Sequence, residues 1–301
     1  MDLRSLRYFL AVARENTISA AAASLHVTQP TLSRQMMDLE DELGASLFTR
    51  GKRRITLTKE GLFLQQRAEE MVALADRTLA QFHAPEGGIS GEVVIGGGET
   101  DAMRLVARAA GRLREANPQV TFHLFSGNAQ DVAERLEHGL LDFGLFVEPA
   151  DLAGYDFLRL PATDTWGLLT RKDGPLAGKT AVRSADLAGL PLLISDQKLV
   201  VNEISGWAGQ EGNQLHYVAK YHLLYNAALM VEEGMGHALC LDKLARTGSD
   251  SPLCFIPLEP RLEVGLDLVW KKHQCFSHAA AAFLVSLRDE IARKDNYAVY
   301  A

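Results

Sequence analysis

The sequence predicts a multidomain chain: an N-terminal all-α domain that carries a basic hairpin, a long linker helix, and a C-terminal α/β domain of two lobes. Three observations lead to this fold class. Two helical patterns in residues 1–45 are joined by a very short turn, an apolar seam of helical spacing extends from Leu64 to Phe82, and strand and helix patterns alternate from Gly91 onward. The length of 301 residues is sufficient for such a division.

The composition is that of a soluble globular protein with hydrophobic cores, since 47% of the residues are hydrophobic and 23% are charged. The N-terminus lacks the pattern of a signal peptide, and no uninterrupted apolar run reaches the roughly 18 residues of a membrane span. We therefore expect a cytoplasmic protein with no membrane partner. The three cysteines, Cys240, Cys254 and Cys275, form no disulfide framework, and we expect buried, reduced thiols.

The net charge of −7 is unevenly distributed along the chain. Residues 1–59 contain nine lysines and arginines against six acidic residues, which gives +3, whereas residues 60–301 contain 22 against 32, which gives −10. This asymmetry favours a nucleic-acid-facing N-terminal end and an acidic, solubilising remainder.

The N-terminal helices are predicted from their apolar spacing. One face of the first helix is formed by Leu3, Leu6, Phe9, Leu10 and Ala13. A short alanine-rich helix covers residues 18–25. Thr28 is suited to cap a third helix, Pro30 fits its first turn, and Gly44 ends it.

The third helix has two chemically different sides. Leu32, Met36, Leu39 and Leu43 form a stripe that we expect to face the core. On another side, Gln29 and Arg34 can make bidentate contacts with base edges, and Ser33 can reach a base or a phosphate. The short connection before this helix is typical of a helix-turn-helix, whose second helix enters the major groove. Without that connection, an ordinary polar surface helix would be the better interpretation.

A basic hairpin is predicted over residues 48–57, where two β-prone stretches flank a tip that contains Gly51. Its cations are Arg50, Lys52, Arg53 and Arg54. Such a tip can contact phosphates or the minor groove. A solvated run of charge is the alternative, but four cations in five residues favour DNA.

Residues 1–61 resemble the N-terminal signature of the LysR-type transcriptional regulators. The matching positions are Phe9, Ala21, Ala22, Leu25, 27–35, Leu39, Glu40, Leu43, Gly44, Leu47, Phe48, Arg50, Leu57, Thr58 and Gly61. The resemblance implies a winged helix-turn-helix that reads the major groove with Gln29, Pro30, Ser33 and Arg34, with Arg53 as the foremost wing contact. The complete predicted DNA-binding set is Thr28, Gln29, Pro30, Thr31, Ser33, Arg34, Arg50, Lys52, Arg53 and Arg54. Asn16 departs from the glycine usual in the family.

A linker helix is expected to follow, with Thr58 as its cap. Its seam consists of Leu64, Ala68, Val72, Ala75, Leu79 and Phe82. This spacing suits packing against a partner helix, which predicts a homodimer, and the resemblance implies the same. Packing on its own chain is the alternative. The predicted domains are 1–58 for DNA binding, 59–87 for the linker and 88–301 for effector binding.

The C-terminal half resembles the periplasmic-binding-protein-like effector domain of the same family, although less closely. Lobe I is predicted at about 88–161 and 269–301, and lobe II at about 162–268. The glycines 96–98 follow a strand, but a dinucleotide fingerprint would need glycine where Asp101 stands, so we exclude that site. Strands are expected at 91–95, 120–125, 143–147, 166–170, 191–194, 215–218, 238–241 and 265–270.

The resemblance places an effector-binding cleft at strand-to-helix loops. The predicted residues are Gly98, Glu99, Thr100, Ser126, Asn128, Ser195, Gln197, Lys198 and Asn202. The serines and threonines among them could equally be helix caps. Glu99 and Asp101 would oppose a strongly anionic effector, and Lys198 is the nearby cation that could offset them. The identity of the effector cannot be read from the sequence.

Other function classes are less well supported. The sequence contains neither a Gly-x-Ser-x-Gly elbow nor a His-Glu-x-x-His metal helix, so we expect no enzyme and no cofactor. His237 and Cys240 have a spacing that a zinc site could use, but core packing is the preferred interpretation. The expected partners are a double-stranded DNA operator, a small-molecule effector, further copies of the chain as a homodimer or homotetramer, and RNA polymerase.

Overall fold

The computed structural model describes residues 1–51, 54–82, 88–209 and 215–298. Contacts divide the chain into two compact units, Met1–His83 and Ala84–Ala301, each with its own hydrophobic core. Within the described ranges, no helix is both long and apolar enough to cross a lipid bilayer.

The N-terminal unit is a helix-turn-helix with a hairpin and a long final helix, as predicted. Its elements are α1 (Leu3–Glu15), α2 (Ile18–Ser24), α3 (Gln29–Leu43), β1 (Phe48–Arg50), β2 (Ile55–Leu57) and α4 (Lys59–Phe82). Each helix begins where a side-chain oxygen accepts the backbone N–H three residues later, and the four capping residues are Asp2, Thr17, Thr28 and Thr58. These caps satisfy N–H groups that a helix start leaves unpaired.

The core of this unit confirms most of the predicted stripe on α3. Leu32, Met36 and Leu39 are buried, together with Phe9 of α1. Leu43 was predicted to join them but is 40% exposed, because it lies in the last turn, directly before the left-handed Gly44 that ends the helix. The side chain therefore falls beyond the edge of the core.

Asn16 stands where the resembled signature usually has glycine. It ends α1 in the left-handed conformation, with φ of 57°, and its N–H donates to the carbonyl of Val12. Asparagine is among the few residues other than glycine that adopt this conformation readily. The turn geometry that glycine would provide is therefore retained.

The C-terminal unit is a mixed α/β fold. Its strands are β3 (Gly91–Gly97), β4 (Val120–Ser126), β5 (Phe143–Val147), β6 (Tyr155–Arg171), β7 (Pro191–Ser195), β8 (His216–Tyr221), β9 (His237–Leu241), β10 (Leu253–Pro257) and β11 (Glu263–Lys271). Its helices are α5 (Met103–Ala116), α6 (Ala129–Glu137), α7 (Ser184–Leu187), α8 (Lys198–Ala208), α9 (Leu224–Glu232) and α10 (His278–Ala298). The strands follow the order β4-β3-β5-β11-β6-β9-β7-β8, and β10 pairs with β6.

Two lobes share the long strands β6 and β11. We call the part built on β3, β4 and β5 the first lobe, and the part built on β7, β8, β9 and β10 the second lobe. Helices α5 and α10 cover one face of the first lobe and α6 the other, while α8 and α9 lie on opposite faces of the second. Within each lobe the strands before the crossover helices are parallel, so their carboxyl ends share one edge.

The sequence did not reveal β10, α7 or the first half of β6. Residues 166–170 were predicted as a strand, but β6 already begins at Tyr155 and passes through Pro161. Proline has no N–H for a ladder, yet it is accommodated because the pairing with β11 shifts between Gly265 and Leu266, which leaves a bulge at this point. The proline that suggests a boundary in sequence thus lies within a continuous strand.

We expect Gly61→Ala to destabilise the N-terminal unit by about 1–3 kcal/mol, the usual cost of overpacking. A Cβ at Gly61 would lie 2.1 Å from the carbonyl oxygen of Leu47, so α4 or the segment before the hairpin would have to move. Hydrogen exchange of peptides from residues 1–82 measures the loss. Gly111→Ala is the matched control, since a Cβ at this position in α5 meets no heavy atom within 4 Å. Unchanged protection in Gly61→Ala would contradict the prediction.

Candidate functional site

The first half of α3 presents polar groups to solvent. Thr28, Gln29, Pro30, Thr31 and Arg34 are exposed, and Ser33 is half-buried. The Thr28 and Thr31 hydroxyls lie 2.8 Å apart, which fixes the cap. By contrast, the side chains of Gln29 and Arg34 form neither a hydrogen bond nor an ion pair with any residue that the structure describes. Two long donors on a rigid helix are therefore available to an external ligand.

The hairpin of β1 and β2, here called the wing, is held against the helices by its backbone. Ile55 N–H donates to Asn16 C=O at 2.9 Å, and Thr58 N–H donates to Leu47 C=O at 3.0 Å. Gly51 N–H donates to Arg54 C=O at 2.9 Å, which closes the turn, and Arg54 is exposed. The predicted contacts Lys52 and Arg53 lie outside the described residues, as does the side chain of Arg50.

The seam of α4 is divided between covered and uncovered residues. Leu64 and Ala68 are buried in the core that α1 shares, and Val72 packs at its edge. Leu79 and Phe82 are 50% and 81% exposed. The first half of the seam therefore packs on its own chain, which was the alternative to packing against a partner helix. The second half presents apolar side chains to solvent.

A cleft lies in the second unit where the carboxyl ends of β3, β4, β7 and β8 meet. Its cavity volume is about 80 Å³. The lining residues are Gly98, Glu99, Gly127, Ala129, Leu145, Phe146, Val147, Pro149, Trp166, Ser195, Gln197, Val200, Tyr221, His222, Leu224, Cys240, Leu241 and Leu244. Both lobes contribute to it.

Four of the predicted effector residues line this cleft: Gly98, Glu99, Ser195 and Gln197. The other five lie outside its lining: Thr100, Ser126, Asn128, Lys198 and Asn202.

Those five residues have other surroundings. The Thr100 hydroxyl donates to Asp164 Oδ2 at 2.5 Å in the interior, where burial raises the pKa of Asp164 and this hydrogen bond opposes the rise. Asn128 caps α6. Ser126, Lys198 and Asn202 are exposed.

Among the described residues, three polar contacts join the lobes across the cleft. Leu224 N–H, at the start of α9, donates to Glu99 Oε2 at 2.5 Å. Ala129 N–H donates to Gln197 Oε1 at 3.3 Å, and Asn128 Nδ2 lies 3.4 Å from His222 Nδ1. Each contact places a first-lobe loop against a second-lobe loop, so any change in the spacing of the lobes must alter these contacts.

Sequence reasoning missed the side chains that β6, β8 and β9 contribute. Tyr221 ends β8, His222 follows it and Leu224 begins α9, so these residues belong to a strand-to-helix connection like those in which the other cleft residues were predicted. Burial raises the pKa of Tyr221 well above its ordinary value, with Cys240 and Glu99 adding to the effect. Burial likewise raises the pKa of Cys240, and Asp242 and Glu99 contribute. Both groups are therefore neutral lining residues at ordinary pH.

The cysteines differ from our expectation of three buried thiols. Cys240 is buried, Cys254 is half-buried and Cys275 is exposed. Cys275 lies in the short segment between β11 and α10. His237, which the zinc alternative would use, has its Nδ1 at 2.7 Å from Thr170 Oγ1, and burial lowers its pKa.

Two family models match the chain. The model described as the LysR substrate binding domain matches residues 86–292, and the model of the bacterial regulatory helix-turn-helix protein, lysR family, matches residues 3–62. The chain is 31% identical over 303 residues to the SDS degradation transcriptional activation protein of Pseudomonas sp. (strain ATCC 19151), covering 97% of each. It is 27% identical over 243 residues to the HTH-type transcriptional regulator BsdA of Bacillus subtilis (strain 168), covering 79% of this chain and 83% of that protein.

Solved structures share the fold. The crystal structure of CbnR, a LysR family transcriptional regulator, has a TM-score of 0.76 at 22% identity and covers 97% of this chain and 99% of its own. Full-length CbnR complexed with its target DNA has a TM-score of 0.72 at 22% identity and covers 96% and 100%. At this identity the likeness concerns the fold alone.

Proposed function

This chain belongs to the LysR family of bacterial transcriptional regulators, and from that premise we propose how it acts: an oligomer binds a specific operator, and a small molecule in the interlobe cleft controls it. The observation that carries the DNA-binding part is the exposed first half of α3. There, Gln29 and Arg34 stand on a capped helix without a partner among the described residues. Arginine and glutamine are the side chains that read guanine and adenine edges most directly.

The proposed DNA contacts comprise two groups. Gln29, Pro30, Ser33 and Arg34 contact bases in the major groove, with Thr28 and Thr31 at its edge. The wing cations Arg50, Lys52, Arg53 and Arg54 contact phosphates or the minor groove. Phosphate contacts position the protein and base contacts specify the sequence, so the two groups have separable effects.

The proposed assembly is a homodimer, or a homotetramer of two dimers, in which the exposed part of the α4 seam meets its copy. Two recognition helices then enter successive major grooves of a pseudo-palindromic operator. An effector in the cleft changes the spacing of the lobes, which favours one arrangement of the assembly over another. Activation proceeds through contact with RNA polymerase, and the sequence allows repression equally. We place this activity in the cytoplasm and assign the chain no catalytic reaction.

DNA binding is tested with a labelled fragment from directly upstream of the coding sequence of this protein. We expect binding that weakens steeply with salt, because each phosphate neutralised by a cation contributes roughly −0.9 to the slope of log K against log salt. Fluorescence anisotropy between low and physiological salt measures that slope. An unrelated fragment of equal length is the control, and it should bind more weakly at every salt concentration. Equal binding to both fragments would refute the proposed sequence specificity.

A further inference from the structure

We propose that the effector of the interlobe cleft is an organic cation: an apolar compound whose protonated amine or quaternary ammonium group pairs with Glu99. The inference rests on the proposed function, since it names the class of ligand for the cleft assigned there. Three features of the lining carry it: the position of Glu99, the charge of the remaining side chains, and the apolar character of the walls.

Glu99 already occupies one of the helix N-termini of the cleft at which an anionic ligand could bind, that of α9. The N-terminus of a helix carries partial positive charge and free N–H groups, and it is the usual anion site of such a cleft. At α9 this site is filled, since Glu99 Oε2 accepts the Leu224 N–H at 2.5 Å. A carboxylate ligand would have to displace Glu99 and then lie beside its charge.

No lysine or arginine offsets this carboxylate within the described lining. Lys198, the cation nearest in sequence to the loop after β7, is exposed and lies outside the lining. His222 does line the cleft, but its Nδ1 lies 3.4 Å from Asp196 Oδ1, a further acidic group. Among the lining side chains that the structure describes, the fixed charge is therefore the negative charge of Glu99, which favours a cation.

Glu99 retains capacity for a ligand. A carboxylate has two oxygens and about four acceptor positions, and Glu99 Oε1 accepts no hydrogen bond from any residue that the structure describes. A protonated amine can donate to Oε1, and a quaternary ammonium group can lie against it as an ion pair, while the bond from Leu224 N–H to Oε2 stays in place. The same ligand would then be held by a residue that links the lobes, so its binding would act directly on their spacing.

The rest of the lining suits an apolar ligand body. Phe146, Pro149, Trp166, Leu241 and Leu244 present apolar surface. The indole of Trp166 is 4% exposed, and its Nε1–H is buried without an acceptor in the described part of the chain. Aromatic faces attract ammonium groups, and a ligand acceptor could satisfy the buried N–H. The described lining thus has no lysine or arginine for a carboxylate and offers aromatic surface to an ammonium group. Both features favour a cationic ligand with an apolar body.

The test compares ligands that share a carbon skeleton and differ in charge. Full-length protein is screened by thermal shift and then calorimetry with benzylamine, 2-phenylethylamine and octylamine, each beside the alcohol and the carboxylate of matching length. We expect the amines to raise the melting temperature and to bind about tenfold or more tightly than the carboxylates, the factor that one charge-assisted hydrogen bond provides. Stronger binding of the carboxylates or the alcohols, or the absence of binding by every amine, would overturn the proposal.

Glu99→Gln provides the variant, because its amide oxygen can still accept the Leu224 N–H while the charge is lost. We expect it to abolish the preference for amine over alcohol. Asp101→Asn is the matched control, since Asp101 lies two residues away, pairs with Arg104 at 2.6 Å and does not line the cleft. An amine preference that survives in Glu99→Gln refutes the role of Glu99. Operator binding is measured on the same samples. If the amines do not bind but the operator does, the proposed ligand class is wrong and the proposed DNA-binding function stands; if the operator does not bind, the proposed function itself is wrong.

Discussion

Arg34→Ala is expected to reduce the preference of this protein for its operator over unrelated DNA by about 2–6 kcal/mol, since a dimer loses two bidentate base contacts of about 1–3 kcal/mol each. Arg34 lies on the exposed side of α3, and no described residue holds its guanidinium. Its removal therefore leaves the helix intact and takes away only the contact with DNA. Competition binding with operator and unrelated fragments at one fixed salt concentration measures the change.

Two further variants separate base reading from general attraction. Arg53→Ala in the wing is expected to weaken binding to both fragments by a similar factor, because phosphate contacts carry little sequence information. Arg14→Ala on α1 removes an exposed arginine, whose side chain is 71% exposed and pairs with Glu15, and should change neither quantity appreciably. If Arg34→Ala weakened binding to both fragments by the same factor, Arg34 would be a phosphate contact, and α3 would be oriented on the DNA differently from our proposal.

The N-terminal unit could be predicted closely because its signals are local. Thr28, Pro30 and Gly44 mark the beginning and end of α3 within 17 residues of sequence, and capping and left-handed glycine act through neighbouring backbone groups. The spacings of four and three residues between Leu32, Met36 and Leu39 likewise indicate which side of α3 is buried. Within this stripe the prediction was wrong only for Leu43, because spacing alone does not show where the core beside the helix ends.

The cleft could be located only in outline because its contacts are distant in sequence. The bond between Glu99 and Leu224 joins positions 125 residues apart, and that between Ala129 and Gln197 joins positions 68 apart. Strand-to-helix loops can be recognised individually, but which of them meet depends on strand order. The apolar wall was missed for another reason: residues such as Trp166 and Leu241 have the same pattern whether they face a core or a cavity.

The exposed end of the α4 seam bears on the assembly. An isolated surface leucine needs no explanation, but Leu79 and Phe82 continue the same helical face that Leu64 and Ala68 bury further back. A sequence pattern that persists beyond its own core is the usual mark of a helix that packs on a second helix. We therefore expect this stretch of α4 to be covered by the same stretch of another copy.

Leu79→Glu is accordingly expected to weaken dimerisation by about 3 kcal/mol or more, because two leucine side chains per dimer stop burying apolar surface and two carboxylates face each other instead. Sedimentation velocity across a concentration series measures the change in dissociation constant. Leu62→Glu is the matched control: Leu62 is 59% exposed on α4, about 100° around the helix from Leu79. It should leave the dimer intact. A dimer that tolerates Leu79→Glu would place the interface elsewhere on the chain, and the spacing of the recognition helices would then have to come from the C-terminal unit.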